Sequence, residues 1–101
     1  MGGFCVKILQ VSDFALHSYR FFVKGNFSLG ATEVSKKLTR NILLGVRIGE
    51  IDGTTWYAYG QMRILVKNDK VTCVMNHNEV LDGWELDLYK KEILNNILGI
   101  A

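Results

Sequence analysis

The chain has 101 residues, of which 49% are hydrophobic and 22% are charged, and its formal net charge is +2. This composition provides enough apolar side chains for a packed core and excludes an intrinsically disordered chain, and the length is usual for one domain. We therefore expect a single domain over residues 1–101. The small positive charge permits a nucleic-acid partner without requiring one, so a basic binding surface depends on how the lysines and arginines cluster.

Cysteine content and hydropathy disfavour several further classes of protein. Cys5 and Cys73 lie in apolar surroundings without a CxxC pair or suitably spaced histidines, which disfavours a disulfide framework or a zinc site. No segment has the roughly 20 apolar residues that span a bilayer, and no signal-peptide pattern precedes the first strand. We expect a cytoplasmic protein with no membrane association, no cofactor and no metal.

The amino-terminal part predicts one short strand and one helix. The strand is expected over residues 4–9, and Ser12 is a suitable N-cap for a helix that ends near residues 25–26. Apolar residues at helical spacing form its expected core stripe: Ala15, Tyr19, Phe22 and Val23. Another face of the helix carries a histidine and two basic residues: His17, Arg20 and Lys24.

A second helix is expected from Ala31 to Leu44, with Gly45 as a left-handed cap. Its expected inward residues are Val34, Leu38 and Ile42. Its expected outward residues are Lys36, Lys37 and Arg40. A solvated basic face is the ordinary interpretation of such a helix, and Glu33 is placed to pair with Lys37.

From residue 46 the hydrophobic period changes to two, which predicts four antiparallel strands joined by short turns. They span residues 46–51, 54–59, 62–67 and 71–75. The last two strands form a hairpin with Asn68-Asp69 at its tip. Val71, Cys73 and Met75 are expected on one face of the last strand, and Thr72 on the other.

A final helix is expected from Asp87 to Leu98, with Gly99 as its end and a broad apolar face: Tyr89, Ile93, Leu94, Ile97 and Leu98. The predicted fold class is therefore α+β. Two amino-terminal helices pack on a four-stranded antiparallel meander, followed by a carboxy-terminal helix, and a short amino-terminal strand is an optional addition.

Several short motifs between about residues 9 and 76 carry a resemblance. They are Val11-Ser12-Asp13-Phe14-Ala15-Leu16, Tyr19, Tyr57-Ala58-Tyr59-Gly60 and Val71-Thr72-Cys73-Val74. Together they resemble a family of small prophage and toxin-associated proteins, which is similar to the RelE and barnase-like ribonucleases that cut RNA without a metal. The resemblance implies a ribonuclease-toxin-like fold. In that family the first helix opens with Asp-His-Ala and continues with arginines, whereas this chain has Phe14 at the histidine position and Ser18 and Phe22 at arginine positions.

Metal-free RNA cleavage needs a proton carrier, a cation at the phosphate and a hydrogen-bonding group. The candidates for those roles are His17, Arg20 and Thr72. A second set of basic and aromatic residues is expected to bind nucleic acid or a protein partner: Lys24, Lys36, Lys37, Arg40, Tyr57, Tyr59, Arg63, Lys67, His77 and Trp84. For Trp84, anchoring the final helix to the core is the alternative role.

Three functions stay open at this point. Because the histidine and arginine positions of the resembled family are substituted, we favour a small phage or mobile-element protein that is not an enzyme and that inhibits a host enzyme, such as a nuclease, or an RNA by binding it. The first alternative is a metal-independent endoribonuclease toxin. The second is a structural or assembly component of a phage particle, with a homodimer through the carboxy-terminal helix as one arrangement.

Overall fold

The structure is a computed structural model, and it describes residues 6–23 and 29–100. Strand β1 (Gln10–Val11) is followed by helices α1 (Asp13–Phe22) and α2 (Ala31–Leu44). Four strands come next, β2 (Val46–Ile51), β3 (Thr54–Tyr59), β4 (Met62–Lys67) and β5 (Lys70–Asn76), and the last element is α3 (Leu88–Leu98). Within the described ranges, none of the helices is both long enough and apolar enough to cross a membrane.

The sheet has five strands in the order β1-β5-β4-β3-β2. Strands β2 to β5 form an antiparallel meander, as expected. Strand β1 pairs with β5 in parallel, so the sheet is mixed and the prediction of a four-stranded antiparallel sheet is only partly right. The amino-terminal strand consists of Gln10 and Val11 rather than the predicted residues 4–9, of which residues 4 and 5 lie outside the described part of the chain.

Ser12 joins the end of β1 to the start of α1. Its side-chain oxygen accepts a hydrogen bond from the backbone N–H of Ala15 at 3.1 Å, which is the predicted N-cap. Its hydroxyl donates to the carbonyl oxygen of Thr72 at 3.2 Å, and its backbone N–H donates to the carbonyl oxygen of Val71 at 2.9 Å. One residue thus starts the helix and holds it against β5.

The turns of two hairpins follow the turn residues in the sequence. Asp52 and Gly53 have φ angles of 51° and 79°, and Asn68 and Asp69 have φ angles of 52° and 61°. Positive φ at both central residues is what a type I′ turn requires, and glycine, asparagine and aspartate adopt it most readily. The predicted β2–β3 and β4–β5 hairpins are therefore confirmed.

A β-bulge at Thr72 changes which side chains of β5 enter the core. The register of β5 against β4 shifts by one residue there, because a bulge inserts one extra residue into one strand. As a result, Val71 and Val74 are both buried against the helices. The prediction that Val71, Cys73 and Met75 share a face is wrong, since strict alternation makes no allowance for an inserted residue.

The core lies between the helices and one face of the sheet. Its fully buried members are Ala15, Tyr19, Val34, Leu38, Ile64, Val71 and Val74. The predicted core stripe of α1 is only partly right, because α1 ends at Phe22, which is 40% exposed, and Val23 is half-buried. The predicted end of this helix, at residues 25–26, lies outside the described residues.

Helix α2 has the predicted bounds, but its C-cap Gly45 and its residue Arg40 differ from expectation. Gly45 has a φ of −89°, so it is not a left-handed cap. A Cβ at this position would overlap the carbonyl oxygen of Ala58 in β3, and the glycine is therefore required by the close approach of two backbones. Arg40, predicted to face solvent, is buried because α3 packs over this part of α2.

Helix α3 begins and ends where the sequence predicts. The Asp87 carboxylate accepts a hydrogen bond from the backbone N–H of Lys90 at 3.0 Å, and Gly99 has a left-handed φ of 70°. Of its predicted apolar face, Leu94 and Leu98 are buried. The remaining members stay exposed: Tyr89, Ile93 and Ile97. This helix therefore uses only part of its apolar surface for packing within the chain.

Candidate functional site

The outer side of α1 carries large aromatic side chains that the core does not cover. Phe14 is 65% exposed and Phe21 is 77% exposed. With His17 and Ser18 they follow the i, i+3, i+4, i+7 spacing of one helix face. We name Phe14, Phe21 and Phe22 the α1 aromatic face. Exposed apolar groups of this size that cluster on a surface mark interaction sites.

The geometry of this face is shallow and mostly apolar. The rings of Phe21 and Phe22 meet edge to face, with centroids 5.3 Å apart and planes at 83°. Together with His17 and Ser18 they line a surface depression. The Ser18 hydroxyl donates to the carbonyl oxygen of Phe14 at 2.8 Å and is thereby turned back onto the helix. The imidazole of His17 is the one titratable group among these lining residues.

The three predicted catalytic residues lie in different settings. His17 is exposed on the outer side of α1. Arg20 donates from Nε to the carbonyl oxygen of Leu29 at 2.8 Å, and also from Nη2. Thr72 donates from Oγ1 to the carbonyl oxygen of Leu65 at 3.4 Å. Within residues 6–23 and 29–100, no hydrogen bond joins two of these three side chains, and no three histidine, cysteine, aspartate or glutamate side chains converge to hold a metal ion.

The predicted aromatic binding residues belong to the helix-covered side of the sheet and its edge. Tyr57 is half-buried and packs against the core. Tyr59 contacts Trp84 edge to face, with ring centroids 5.5 Å apart. The indole N–H of Trp84 donates to the carbonyl oxygen of Leu44 at 3.1 Å, which satisfies an acceptor at the end of α2. Trp84 therefore fastens the segment before α3 to the helix layer.

Arg63 and His77 organise the segment between β5 and α3. Arg63 is only 6% exposed, and its guanidinium donates to the carbonyl oxygens of Gly60 at 3.0 Å and Glu79 at 2.8 Å. The Nδ1 of His77 accepts a hydrogen bond from the backbone N–H of Glu79 at 3.2 Å. Arg63 and His77 also line a cavity with Ile48 and with residues 79–82. These contacts hold residues 77–82 against the sheet.

The predicted basic residues separate into two places. Lys36 and Lys37 are half-buried on α2, beside the buried Arg40. Lys67 is exposed near the tip of the β4–β5 hairpin, and Lys24 lies outside the described residues. The sequence did not single out Lys91, which α3 brings close to the basic side of α2.

Among the titratable groups of the described residues, burial shifts the pKa of three. It raises the pKa of the Tyr19 phenol, an effect that nearby Arg40 partly opposes. It also raises the pKa of the Cys73 thiol. It lowers the pKa of the Lys91 ammonium, and the positive charges of Arg40 and Lys37 lower it further. In each case burial disfavours the charged form of the group.

Comparison with protein families identifies a family for most of the chain. A family model described as YorE matches residues 9–96, a stretch that runs from β1 into the last turns of α3. Comparison with curated proteins and with solved structures gives no significant match. The resemblance to RelE and barnase-like ribonucleases is not confirmed by these comparisons.

Proposed function

Since the chain belongs to the YorE family, a phage-type family, we propose that it is a small, non-catalytic protein that binds a host protein through the α1 aromatic face and thereby inhibits it. The observation that carries the proposal is the exposure of Phe14 and Phe21 on one side of the 10-residue helix α1. The other side of that helix already packs on the core through Ala15 and Tyr19.

The partner that fits this face is a protein with a hydrophobic groove. Phe14 and Phe21 are separated by two helical turns, which places them about 10.5 Å apart along the helix axis. Anchors at i and i+7 are the spacing with which an amphipathic helix lies in an apolar groove. Aromatic side chains also bury large areas and are enriched at the centres of protein interfaces.

RNA fits the same face less well. Binding of single strands combines aromatic stacking with a positively charged groove that follows the phosphates. Beside the α1 aromatic face, the guanidinium of Arg20 is engaged by the carbonyl oxygen of Leu29. Phenyl rings also lack hydrogen-bonding groups with which to distinguish bases. We therefore infer a protein partner, and RNA bound at this face would contradict the proposal.

The proposal that the chain is not catalytic rests on the hydrogen bonds and positions of the candidate groups. Cleavage by His17, Arg20 and Thr72 would require these groups to meet around one phosphate. Instead, Arg20 and Thr72 each donate to a backbone carbonyl oxygen, and His17 lies on the exposed side of α1. A structural use for two of the three groups favours binding over turnover.

Inhibition would then result from binding alone, because a protein that catalyses no reaction affects its partner only while the two are bound. We infer a host enzyme as that partner, with a nuclease as the leading class. The effect expected of such binding is a stoichiometric loss of the enzyme's activity, complete at about one protein per active enzyme. Catalytic inactivation of an excess of enzyme would point to a different mechanism.

The test combines capture with an activity assay. A photo-crosslinking amino acid at position 21 should join the protein to one host protein, and the same group at Lys67 should not. The captured protein, once purified, should form a one-to-one complex with the wild-type chain. RNA incubated with the chain in EDTA should remain intact. Multiple-turnover cleavage that is lost in His17→Ala would instead establish the endoribonuclease alternative.

A second candidate, a structural or assembly role in a phage particle, is favoured by the exposed stripe on α3. Tyr89, Ile93 and Ile97 follow the i, i+4, i+8 spacing of one helix face and remain uncovered. Two copies packed antiparallel about Ile93 would place Tyr89 of each chain against Ile97 of the other, which is the self-complementary arrangement of a two-fold dimer. Light scattering that shows a monomer across the micromolar range would count against it.

A further inference from the structure

Three positive side chains belong to the region where α3 packs on α2. Lys37 and Arg40 are three residues apart on α2, so they are neighbours on its surface. Lys91 lies one turn before Asn95 on α3, and the Oδ1 of Asn95 accepts a hydrogen bond from Nη1 of Arg40 at 2.9 Å. Each lysine is therefore about one helical turn from the hydrogen bond that joins the helices. We name Lys37, Arg40 and Lys91 the α2–α3 cation cluster.

Arg40 is the buried member of this cluster. It is 6% exposed, and the acceptors of its guanidinium are amide oxygens alone. Nε and Nη2 both donate to Oδ1 of Asn41 at 3.1 Å, and Nη1 donates to Asn95. These neutral partners satisfy its N–H groups but do not neutralise its charge. A buried cation without a carboxylate partner is uncommon because removing it from water costs free energy that an opposite charge normally offsets.

Among residues 6–23 and 29–100, no carboxylate lies at ion-pair distance from the cluster. In the part of the chain that the structure describes, the ion pairs are Lys7 with Asp69 and Arg47 with Glu50. Glu33 precedes Lys37 by one turn, and Glu92 follows Lys91, yet neither makes an ion pair with the cluster. The expected Glu33–Lys37 pair is therefore not formed.

Lys91 lies within electrostatic reach of both Arg40 and Lys37. Burial and the charges of Arg40 and Lys37 lower the pKa of its ammonium. Lys37 and Lys91 are both half-buried, so each keeps part of its surface open to solvent. A ligand with more than one negative charge would relieve the repulsion among the three cations.

We propose that the α2–α3 cation cluster binds a phosphate group, with the ammonium groups of Lys37 and Lys91 on its oxygens and the charge of Arg40 behind them. A phosphate monoester carries up to two negative charges near neutral pH and three acceptor oxygens, which suits three cations better than a single carboxylate does. The site lies on α2 and α3 and includes no residue of the α1 aromatic face, so it stands independently of the function proposed above.

The test is a titration of the isotope-labelled protein with inorganic phosphate at constant ionic strength, followed by NMR. Saturable shifts are expected at the amides of Lys37 and Lys91, and the pKa of the Lys91 ammonium should rise on binding. Lys37→Gln and Lys91→Gln should each weaken binding at least tenfold. Lys70→Gln, which removes an exposed cation near the tip of the β4–β5 hairpin, is the matched control and should leave binding unchanged.

Two further ligands identify the source of the phosphate and the class of partner. Tighter binding of a single-stranded RNA oligonucleotide than of inorganic phosphate, with the same dependence on Lys91, would identify phosphates of a nucleic acid as the ligand. Equal or weaker binding of the RNA would identify a free phosphate or a small phosphate ester. Preference for polyglutamate over both would overturn the proposal in favour of an acidic protein. Shifts that do not saturate, or that Lys70→Gln reduces as much as Lys91→Gln, would also overturn it.

Discussion

Arg40 on α2 donates a hydrogen bond from Nη1 to Oδ1 of Asn95 on α3 at 2.9 Å, and this contact joins the two helices. Because no carboxylate of the described residues pairs with this guanidinium, Asn95→Asp should supply one. We expect that substitution to increase the free energy of unfolding at pH 7 by about 1 kcal/mol.

The gain in stability from Asn95→Asp should depend on pH. Arg40 should hold the pKa of the new carboxyl below its ordinary value, so the gain is present above that ordinary value and is lost as the pH falls through the lowered pKa. Urea unfolding of the variant and the wild type at pH 7 and at pH 2 measures the difference. Asn95→Ala, which removes the acceptor, should destabilise the protein, and an Asn95→Asp variant no more stable than wild type at pH 7 would refute the prediction.

Gly45 should be intolerant of any side chain. A Cβ there would overlap the carbonyl oxygen of Ala58, and backbone atoms at such a contact can separate only if α2 moves away from β3. We expect Gly45→Ala to lower the free energy of unfolding by about 1–3 kcal/mol, as overpacked sites do. Denaturant unfolding measures the change. Gly49→Ala is the matched control, since a Cβ there meets no atom within 4 Å, and equal losses in the two variants would contradict this interpretation.

Arg63 should stabilise the segment that follows β5. Arg63→Met removes the donors to the carbonyl oxygens of Gly60, Met62 and Glu79, and we expect the loss of these part-buried hydrogen bonds to lower the free energy of unfolding by about 2–3 kcal/mol. Hydrogen exchange should become faster over residues 77–82 and remain unchanged in α2. Arg47→Met removes an exposed arginine whose ion pair is on the surface, so its effect should stay within about 0.5 kcal/mol. Hydrogen exchange over residues 77–82 that is as slow in Arg63→Met as in the wild type would rule out an anchoring role for Arg63.

Cys73 should react slowly with alkylating reagents. Burial raises the pKa of its thiol, and the thiolate is the reactive form. In a Cys5→Ser background, the rate of alkylation by iodoacetamide should therefore rise at a higher pH in the folded protein than in the protein unfolded by urea. Because the folded-state pKa is the higher one, its contribution to stability is present below the unfolded-state pKa and is lost as the pH rises through the folded-state value. Coincident pH profiles for the folded and unfolded protein would contradict the prediction.

Features set by neighbouring residues were predictable from the sequence. Ser12 and Asp87 cap their helices as expected, because a capping side chain bonds a backbone N–H only a few residues away. Asn68 and Asp69 form the hairpin tip for a similarly local reason, since their own backbone preferences suit positive φ. The bounds of α2 and of three of the strands followed from the same local periodicities.

Features set by packing between distant elements were not predictable. The bulge at Thr72 depends on how β5 fits against β4 and the helices, and the alternation of the sequence contains no sign of it. Arg40 was expected in solvent, because nothing in the spacing of α2 reveals that α3 covers it. Phe22 was expected in the core but is exposed. The apolar stripe of a helix does not show how far along the helix the rest of the protein covers it.

The same limit applies to the candidate sites. The exposure of Phe14 and Phe21 could have been suspected from their i, i+7 spacing, which is distinct from the stripe of Ala15 and Tyr19. The proximity of Lys91 to α2 could not have been predicted, because it depends on the packing of two helices that are far apart in sequence.

The most direct test of the binding function compares two exposed apolar residues on different helices. Phe21 on α1 is 77% exposed and Leu88 on α3 is 70% exposed, so replacing either by serine should hardly change stability. Calorimetry with the purified host partner measures the affinity of each variant. Phe21→Ser should weaken binding about 30-fold, the effect of losing an interface hot spot of about 2 kcal/mol, and Leu88→Ser should leave it unchanged. Wild-type affinity in Phe21→Ser, or an equal loss in Leu88→Ser, would contradict a binding site on the α1 aromatic face.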